Sequence, residues 1–185
     1  LQGNGTILRQ TVVGLARLSD PVLADWIDNN ATFPNSMGDC IVPATGRREL
    51  ALVRQMGNED NAPVTHENFR QWVIEDNFCA GRPDWDRVGA TFTEHLHDFE
   101  VMTIRILNGG KQIIANAGEI LNVETIHGCM EQPQIGAFFT RVASREIAAH
   151  VKPVPGMTPE AYVDLIHERF SKPMIADTTR RVAFD

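Results

Sequence analysis

The segment from Leu96 to Leu121 constrains the fold more than any other part of the sequence. Its apolar residues, which include Ile104, Ile106 and Ile113, lie around nearly the whole circumference of a helix. A helix that is apolar on all sides is usually buried. The segment therefore predicts a long central helix in a chain that is mainly α-helical with a minor β component.

Polar side chains interrupt this apolar segment at Glu100, Arg105, Asn108 and Lys111. Burying each of them without a partner would cost several kcal/mol. At about 100° per residue, Glu100 and Lys111 fall on the same side of the helix, which predicts that this side borders a polar cavity. The alternative is a stripe that faces solvent. The pair Gly109–Gly110 favours the cavity, because glycine is often found inside a helix where a ligand or another backbone comes close.

Proline marks the start of several predicted helices. Asp20 and Pro21 together supply an N-cap and a first-turn proline, and further helices are predicted to begin at Pro133, Pro159 and Pro173. Strands are predicted for two short β-prone runs, residues 37–42 and 69–74. Helices therefore outnumber strands in the predicted fold.

Charge and composition exclude several classes of partner. The chain has 185 residues and a net charge of −7, so it lacks the surplus of Lys and Arg that binds nucleic acid or an anionic membrane. No run of apolar residues is long enough to span a bilayer. Cys40, Cys79 and Cys129 have no Cys-x-x-Cys spacing, and we interpret them as reduced thiols of a cytoplasmic protein.

The two ends of the sequence suggest a piece of a longer chain. It starts at Leu1 instead of Met, and it stops at Asp185 on a helical pattern without a C-cap glycine. We therefore expect residues 1–185 to form a single substrate-binding or catalytic domain that is truncated at both ends.

Neither a cofactor loop nor a metal site is predicted within the chain. No Gly-x-Gly-x-x-Gly or Gly-x-x-x-x-Gly-Lys-Ser/Thr string occurs, so no nucleotide-binding residue is assigned. His95 and His97, with Asp98 beside them, could ligate a metal if they lay on a strand. The favoured interpretation is the polar start of a helix, and we predict no metal.

A set of short strings, in this order and at this spacing, resembles the long-chain mannitol dehydrogenase family: Thr65–Phe69, Glu75–Phe78, Ala80–Pro83, Arg105–Gly109 and Pro153–Gly156. The resemblance extends over essentially the whole chain. It implies the helical C-terminal domain of a mannitol-dehydrogenase-like enzyme. The notable further expectation is that the Rossmann domain of such enzymes is absent from this chain.

The family's motif on the central helix is Lys-x-x-x-x-Asn-x-x-His, in which Lys is the general base and Asn and His polarise the substrate oxygen. Only Asn108 matches it, because Thr103 occupies the position of the base and Lys111 that of the histidine. Lys111 lies about 12 Å along a regular helix from the base position. The resemblance also implies that Glu100 gates proton release and that the substrate contacts are Asp39 and Arg181.

The resemblance implies part of an NAD-dependent oxidoreductase, with NADP not excluded, that interconverts a polyol or a sugar acid and its keto form. This chain alone is expected to be inactive. Thr103 and Lys111 also support an alternative from another class, a catalytically impaired relative that serves as a binding or assembly module. A third possibility is that the two departures were engineered or misassigned. The sequence does not indicate an oligomeric state.

Overall fold

The computed structural model describes residues 3–173 and 177–184. Contacts between Cα atoms divide the chain into two compact units, each made of two segments. The first unit comprises residues 1–39 and 70–100, and the second comprises residues 40–69 and 101–185. Compact units built from interleaved segments are not by themselves domains that fold alone. The prediction of one domain over residues 1–185 stays a prediction.

Helices dominate the described residues, as the sequence predicted. They are α1 (Asn4–Ser19), α2 (Pro21–Asn30), α3 (Arg47–Gln55), α4 (Leu96–Met102), α5 (Gly109–Leu121), α6 (Ile126–Met130), α7 (Pro133–Val142), α8 (Pro159–Phe170) and α9 (Thr179–Phe184). Three strands, β1 (Ser36–Asp39), β2 (Gln71–Glu75) and β3 (Ala90–Thr93), form one sheet. None of these helices is both long and apolar enough to cross a membrane.

The first unit combines the α1–α2 hairpin with the sheet. Asp20 begins α2 as predicted, because its carboxylate accepts a hydrogen bond from the Leu23 amide at 3.0 Å. In the sheet, β1 pairs antiparallel with β2, and β2 pairs parallel with β3. A short 3₁₀ helix, Trp85–Val88, lies in the connection between the parallel strands, and its Trp85 ring stacks on Trp72 of β2. The bounds of β1 and β2 lie within three residues of the two predicted strands, whereas β3 was not predicted.

The predicted central helix is present but is not uniformly wound. The chain is helical from Leu96 to Leu121, yet residues Thr103–Asn108 form a π-helical segment between α4 and α5. In this segment the amide of Gly109 donates to the carbonyl of Ile104, five residues back. π-helical insertions of this kind occur frequently at functional sites.

The core of the second unit lies where α7 packs against α5 and α8, and α8 packs against the π segment. Ile106, Ile114, Phe139 and Ile166 are fully buried there. Gly110 explains part of the close packing, because a Cβ atom at this position would lie 2.6 Å from the ring of Phe139. Of the two glycines that favoured a ligand cavity, Gly110 is therefore explained by packing against Phe139.

Local helix signals predicted two of the three later helix starts. Helices α7 and α8 begin at Pro133 and Pro159 as predicted. The helix predicted to begin at Pro173 is found from Thr179 to Phe184, and residues 174–176 lie outside the described residues. Its start is fixed by tertiary contacts, since the buried Thr179 hydroxyl donates to the Val123 carbonyl at 2.8 Å.

Candidate functional site

Two of the predicted site residues, Asp39 and Glu100, belong to the first unit. Asp39 ends β1, pairs in register with Gln71 of β2, and is only 2% exposed. Glu100 is 7% exposed, and one of its oxygens lies 3.8 Å from Nδ1 of His97. Carboxylates are rarely buried to this degree without a specific role or partner. Both side chains are therefore interior groups of the first unit and not surface charges.

Thr103 and Asn108, which occupy the family's base and asparagine positions, are the first and last residues of the π segment. The predicted alignment of polar side chains assumed about 100° per residue. A π segment turns by less per residue, since each hydrogen bond spans five residues instead of four. The angular positions derived for a regular α-helix therefore do not hold across residues 103–108.

The Thr103 hydroxyl lies beside a buried phenol. Its Oγ1 is 3.4 Å from the hydroxyl oxygen of Tyr162, which is only 3% exposed on α8. Tyr162 is the single tyrosine of the chain. Sequence reasoning missed it because nothing in the spacing of α8 connects it with a residue 59 positions away.

Lys111 and Arg181, both singled out from the sequence, converge on one carboxylate. The Lys111 ammonium lies 2.8 Å from Oδ2 of Asp177, and the Arg181 guanidinium donates to Oδ1 of Asp177 from Nε at 2.9 Å. Asp177 is 2% exposed. Within residues 3–173 and 177–184, Oδ2 accepts no hydrogen bond of good geometry, so Lys111 compensates it mainly through charge.

The solvent-stripe alternative for the central helix is wrong. Glu100 is buried, and the Lys111 side chain is only 15% exposed and ion-paired. Asn108, in contrast, is exposed, and the Arg105 guanidinium donates to the carbonyl of His150 at 2.9 Å. The prediction that Glu100 and Lys111 border one polar cavity stays a prediction.

A second ion pair in this unit is entirely removed from solvent. The Arg169 guanidinium donates from Nε to both carboxylate oxygens of Glu67 at 3.1 Å, and its face lies 4.1 Å from the centroid of the Phe69 ring. Glu67 also accepts a hydrogen bond from the amide of Ile41. A small cavity of about 10 Å³ lies between Arg169 and the pair formed by Lys111 and Asp177.

The cysteines differ in their environments. Cys79 is exposed, and hydrogen bonding with the Thr32 side chain and backbone lowers the pKa of its thiol. Cys129 is buried, which raises the pKa of its thiol. Cys40 is half-buried, and its sulfur lies 3.8 Å from Nδ1 of His66. The interpretation of the cysteines as reduced thiols stays a prediction.

The histidines do not assemble a metal site in the described part of the chain. No group of three or more His, Cys, Asp or Glu side chains could hold a metal ion there. His95 precedes α4, and its amide donates to the Thr93 hydroxyl at 3.0 Å, so the polar start of a helix accounts for its position. A metal-free mechanism stays a prediction.

Comparison with protein families accounts for nearly the whole chain. Residues 1–87 match the mannitol dehydrogenase Rossmann domain. Residues 95–185 match the mannitol dehydrogenase C-terminal domain. The two matches are to the two domains of one dehydrogenase family, and the altered motif lies in the C-terminal one. The chain belongs to the mannitol dehydrogenase family.

Individual relatives cover this chain from end to end. Mannitol 2-dehydrogenase of Cereibacter sphaeroides is 50% identical over 185 residues, which are 100% of this chain and 39% of the relative. D-mannonate oxidoreductase of Escherichia coli K12 is 40% identical over 98% of this chain and 38% of its own length. Pseudomonas fluorescens mannitol 2-dehydrogenase, solved as a ternary complex with NAD and D-mannitol, superposes with a TM-score of 0.80 at 34% identity, over 97% of this chain and 37% of that one. This chain therefore spans less than two fifths of the length of the relatives.

The expectation that the Rossmann domain is absent from this chain is wrong, because residues 1–87 match that domain. The expectation rested on the missing glycine-rich loop and on the resemblance, in which the Rossmann domain precedes such a segment. That loop belongs to the first strand–turn–helix of such a domain, and the domain continues well beyond it. Absence of the loop from these residues therefore did not exclude the remainder of the domain.

Proposed function

We propose that these residues belong to an NAD(P)-dependent oxidoreductase that interconverts a polyol, or a sugar acid, and its keto form by hydride transfer. The observation that carries this proposal is the match of both family domains, in sequence order, to the two parts of the chain. The relatives' names support the two substrate classes, since one is a mannitol 2-dehydrogenase and another a D-mannonate oxidoreductase. We further propose a cytoplasmic protein that uses no metal.

The proposed roles follow the family motif. Asn108 would donate from its side-chain amide to the substrate oxygen, and Asp39 and Arg181 would bind substrate hydroxyls. Glu100 would accept and release the proton that leaves the site. NAD or NADP would accept the hydride. No residue of this chain is assigned to the cofactor, because residues 1–185 contain no glycine-rich loop of the nucleotide-binding type.

The base position weakens the proposed reaction. Oxidation of a secondary alcohol requires a group that takes the hydroxyl proton, and a threonine hydroxyl does not do so near neutral pH. The Tyr162 hydroxyl lies 3.4 Å from the Thr103 hydroxyl, but it is only 3% exposed. Because Thr103 supplies no positioned base, we expect slow turnover near neutral pH.

A second candidate function is a binding or assembly module that has lost catalysis. The ion pair between Lys111 and Asp177 favours it. The pair holds the Lys111 side chain on Asp177, and Lys111 lies eight residues along the helix from the base position at Thr103.

An assay of the full-length protein tests both candidates. D-mannitol, D-sorbitol and D-mannonate would be offered with NAD and with NADP over roughly pH 6 to 10, with reduced nicotinamide followed by absorbance. Turnover of any of them, however slow, supports the oxidoreductase. Substrate binding by calorimetry without turnover at any pH supports the module and contradicts the oxidoreductase.

A further inference from the structure

Asp177 is the one buried carboxylate, among the described residues of the second unit, on which two side chains of the family's substrate machinery converge. Its two oxygens are divided between them. Oδ1 receives Arg181 from Nε and Nη2, at 2.9 and 2.5 Å, and Oδ2 faces Lys111 at 2.8 Å. One buried carboxylate therefore contacts two cationic side chains.

The backbone around Asp177 is fixed independently of these cations. The Asp177 carbonyl accepts a hydrogen bond from the amide of Ile126 at 2.9 Å. The next residue, Thr178, forms an antiparallel bridge with Thr125. Thr179 is only 1% exposed, and its hydroxyl donates to the Val123 and Glu124 carbonyls. The carboxylate therefore occupies a position set by the fold.

Asp177 and Arg181 differ in their exposure to solvent. The Asp177 side chain is 2% exposed, whereas that of Arg181 is 35% exposed. A guanidinium that rests on a buried carboxylate while part of it reaches the surface has restricted rotamers and still presents N–H donors to a ligand. Such restriction lowers the entropy cost of binding, because the side chain is ordered before the ligand arrives.

We infer that Asp177 is a positioning residue: it orients Arg181 toward the substrate hydroxyls and holds the Lys111 side chain in an ion pair. The inference rests on the proposed function, since it assigns a support to a substrate contact of that function. It also gives a physical account of Lys111. A lysine at the histidine position is tolerated because a fixed carboxylate lies within ion-pair distance of it.

The test compares D-mannitol binding by variants of the full-length protein, measured by calorimetry with saturating NAD. Equilibrium binding is accessible because turnover is expected to be slow. Asp177→Asn should weaken binding by about 10-fold or more, and Arg181→Gln by a similar factor. The effects of residues that act as one unit are not additive. The double variant Asp177→Asn/Arg181→Gln should therefore bind mannitol at most about 3-fold more weakly than either single variant.

The matched control is Arg180→Gln. Arg180 is the neighbouring residue on α9, 78% exposed, and pairs with Glu119 at 3.2 Å. Its removal should leave the dissociation constant within about 2-fold of the wild-type value. A residue that only stabilises the fold would lower the midpoint of unfolding without changing the affinity of the folded protein.

A second variant guards against misfolding of Asp177→Asn, which leaves the Lys111 ammonium without its counter-ion. Asp177→Asn/Lys111→Met removes both charges of that pair and still leaves Arg181 without its anchor, so weak mannitol binding is expected again. The inference would be overturned if the folded Asp177→Asn/Lys111→Met variant bound mannitol with wild-type affinity. It would also be overturned if the wild-type protein bound no mannitol. Failure of the proposed function is a separate result, namely binding without turnover.

Discussion

Glu67 and Arg169 form an ion pair in the interior of the second unit although 102 residues separate them along the chain. Their side chains are 2% and 0% exposed. The pair ties the segment that carries Glu67 to helix α8, and each member would be a buried, uncompensated charge without the other.

We therefore predict that Glu67→Gln destabilises the full-length protein strongly. Removal of one partner of a buried ion pair typically costs about 3–5 kcal/mol in the free energy of unfolding. The control is Glu168→Gln, because Glu168 pairs with Lys172 beside the same helix while being 67% exposed. This control should change stability by no more than about 0.5 kcal/mol. Urea unfolding followed by fluorescence measures both, and equal midpoints for the two variants would contradict the prediction.

A second prediction concerns glycines with opposite environments. A Cβ atom at Gly118 would lie 2.4 Å from Sγ of Cys129 and 2.6 Å from a methyl of Thr179, whereas one at Gly14 would meet no atom within 4 Å. Gly118→Ala should therefore destabilise the protein by about 1–3 kcal/mol through overpacking. Gly14→Ala, inside α1, should stabilise it by about 0.5–1 kcal/mol. Changes of the same sign in thermal unfolding would show that the close approach at Gly118 is misjudged.

The cysteines should differ in reactivity. Cys79 is exposed with a lowered thiol pKa, and Cys129 is buried with a raised one. Because the thiolate is the nucleophile, a lower pKa gives a larger reactive fraction at neutral pH. Iodoacetamide should label Cys79 well before Cys129, as read by peptide mass spectrometry. Replacing Thr32 by Val removes the side-chain hydrogen bond, the largest cause of the lowered pKa, and should slow the labelling of Cys79.

The altered motif gives a prediction about turnover. Thr103→Lys together with Lys111→His restores the family's base and histidine, and a positioned base typically contributes roughly 100- to 10,000-fold to the rate. The double variant of the full-length protein should gain most of this factor in kcat. Each single change should do less, because the residues act as one unit. Fast turnover by the unmodified protein, abolished by Lys111→Ala, would instead identify Lys111 as a substitute base.

The sequence predicted those features of the fold that depend on neighbouring residues. Asp20, Pro133 and Pro159 begin helices in the structure because capping and first-turn proline geometry are local. The start of α9 at Thr179 was not predicted, since it depends on hydrogen bonds to residues more than 50 positions away. The π segment was not predicted either, because apolar periodicity does not distinguish π from α winding.

For the candidate site, the sequence identified Lys111 and Arg181 but not the residue that joins them. Asp177 was detectable in part, since it lies four residues before Arg181, a spacing at which opposite charges pair on a helix. Its approach to Lys111 depends on the packing of α5 against α9, which no local pattern encodes. Tyr162 was missed for the same reason.

The π segment restricts insertions and deletions in the central helix. A winding with five-residue hydrogen bonds holds one more residue than the α-helical turn it replaces. Deleting any single residue between Thr103 and Asn108 would let the segment relax to regular α-helix. The deletion would change the angular position of Asn108 relative to Thr103, and deletion of the fully buried Ile106 would also remove core packing. We expect homologous chains to conserve the number of residues in this segment even where, as in this chain, their identities differ.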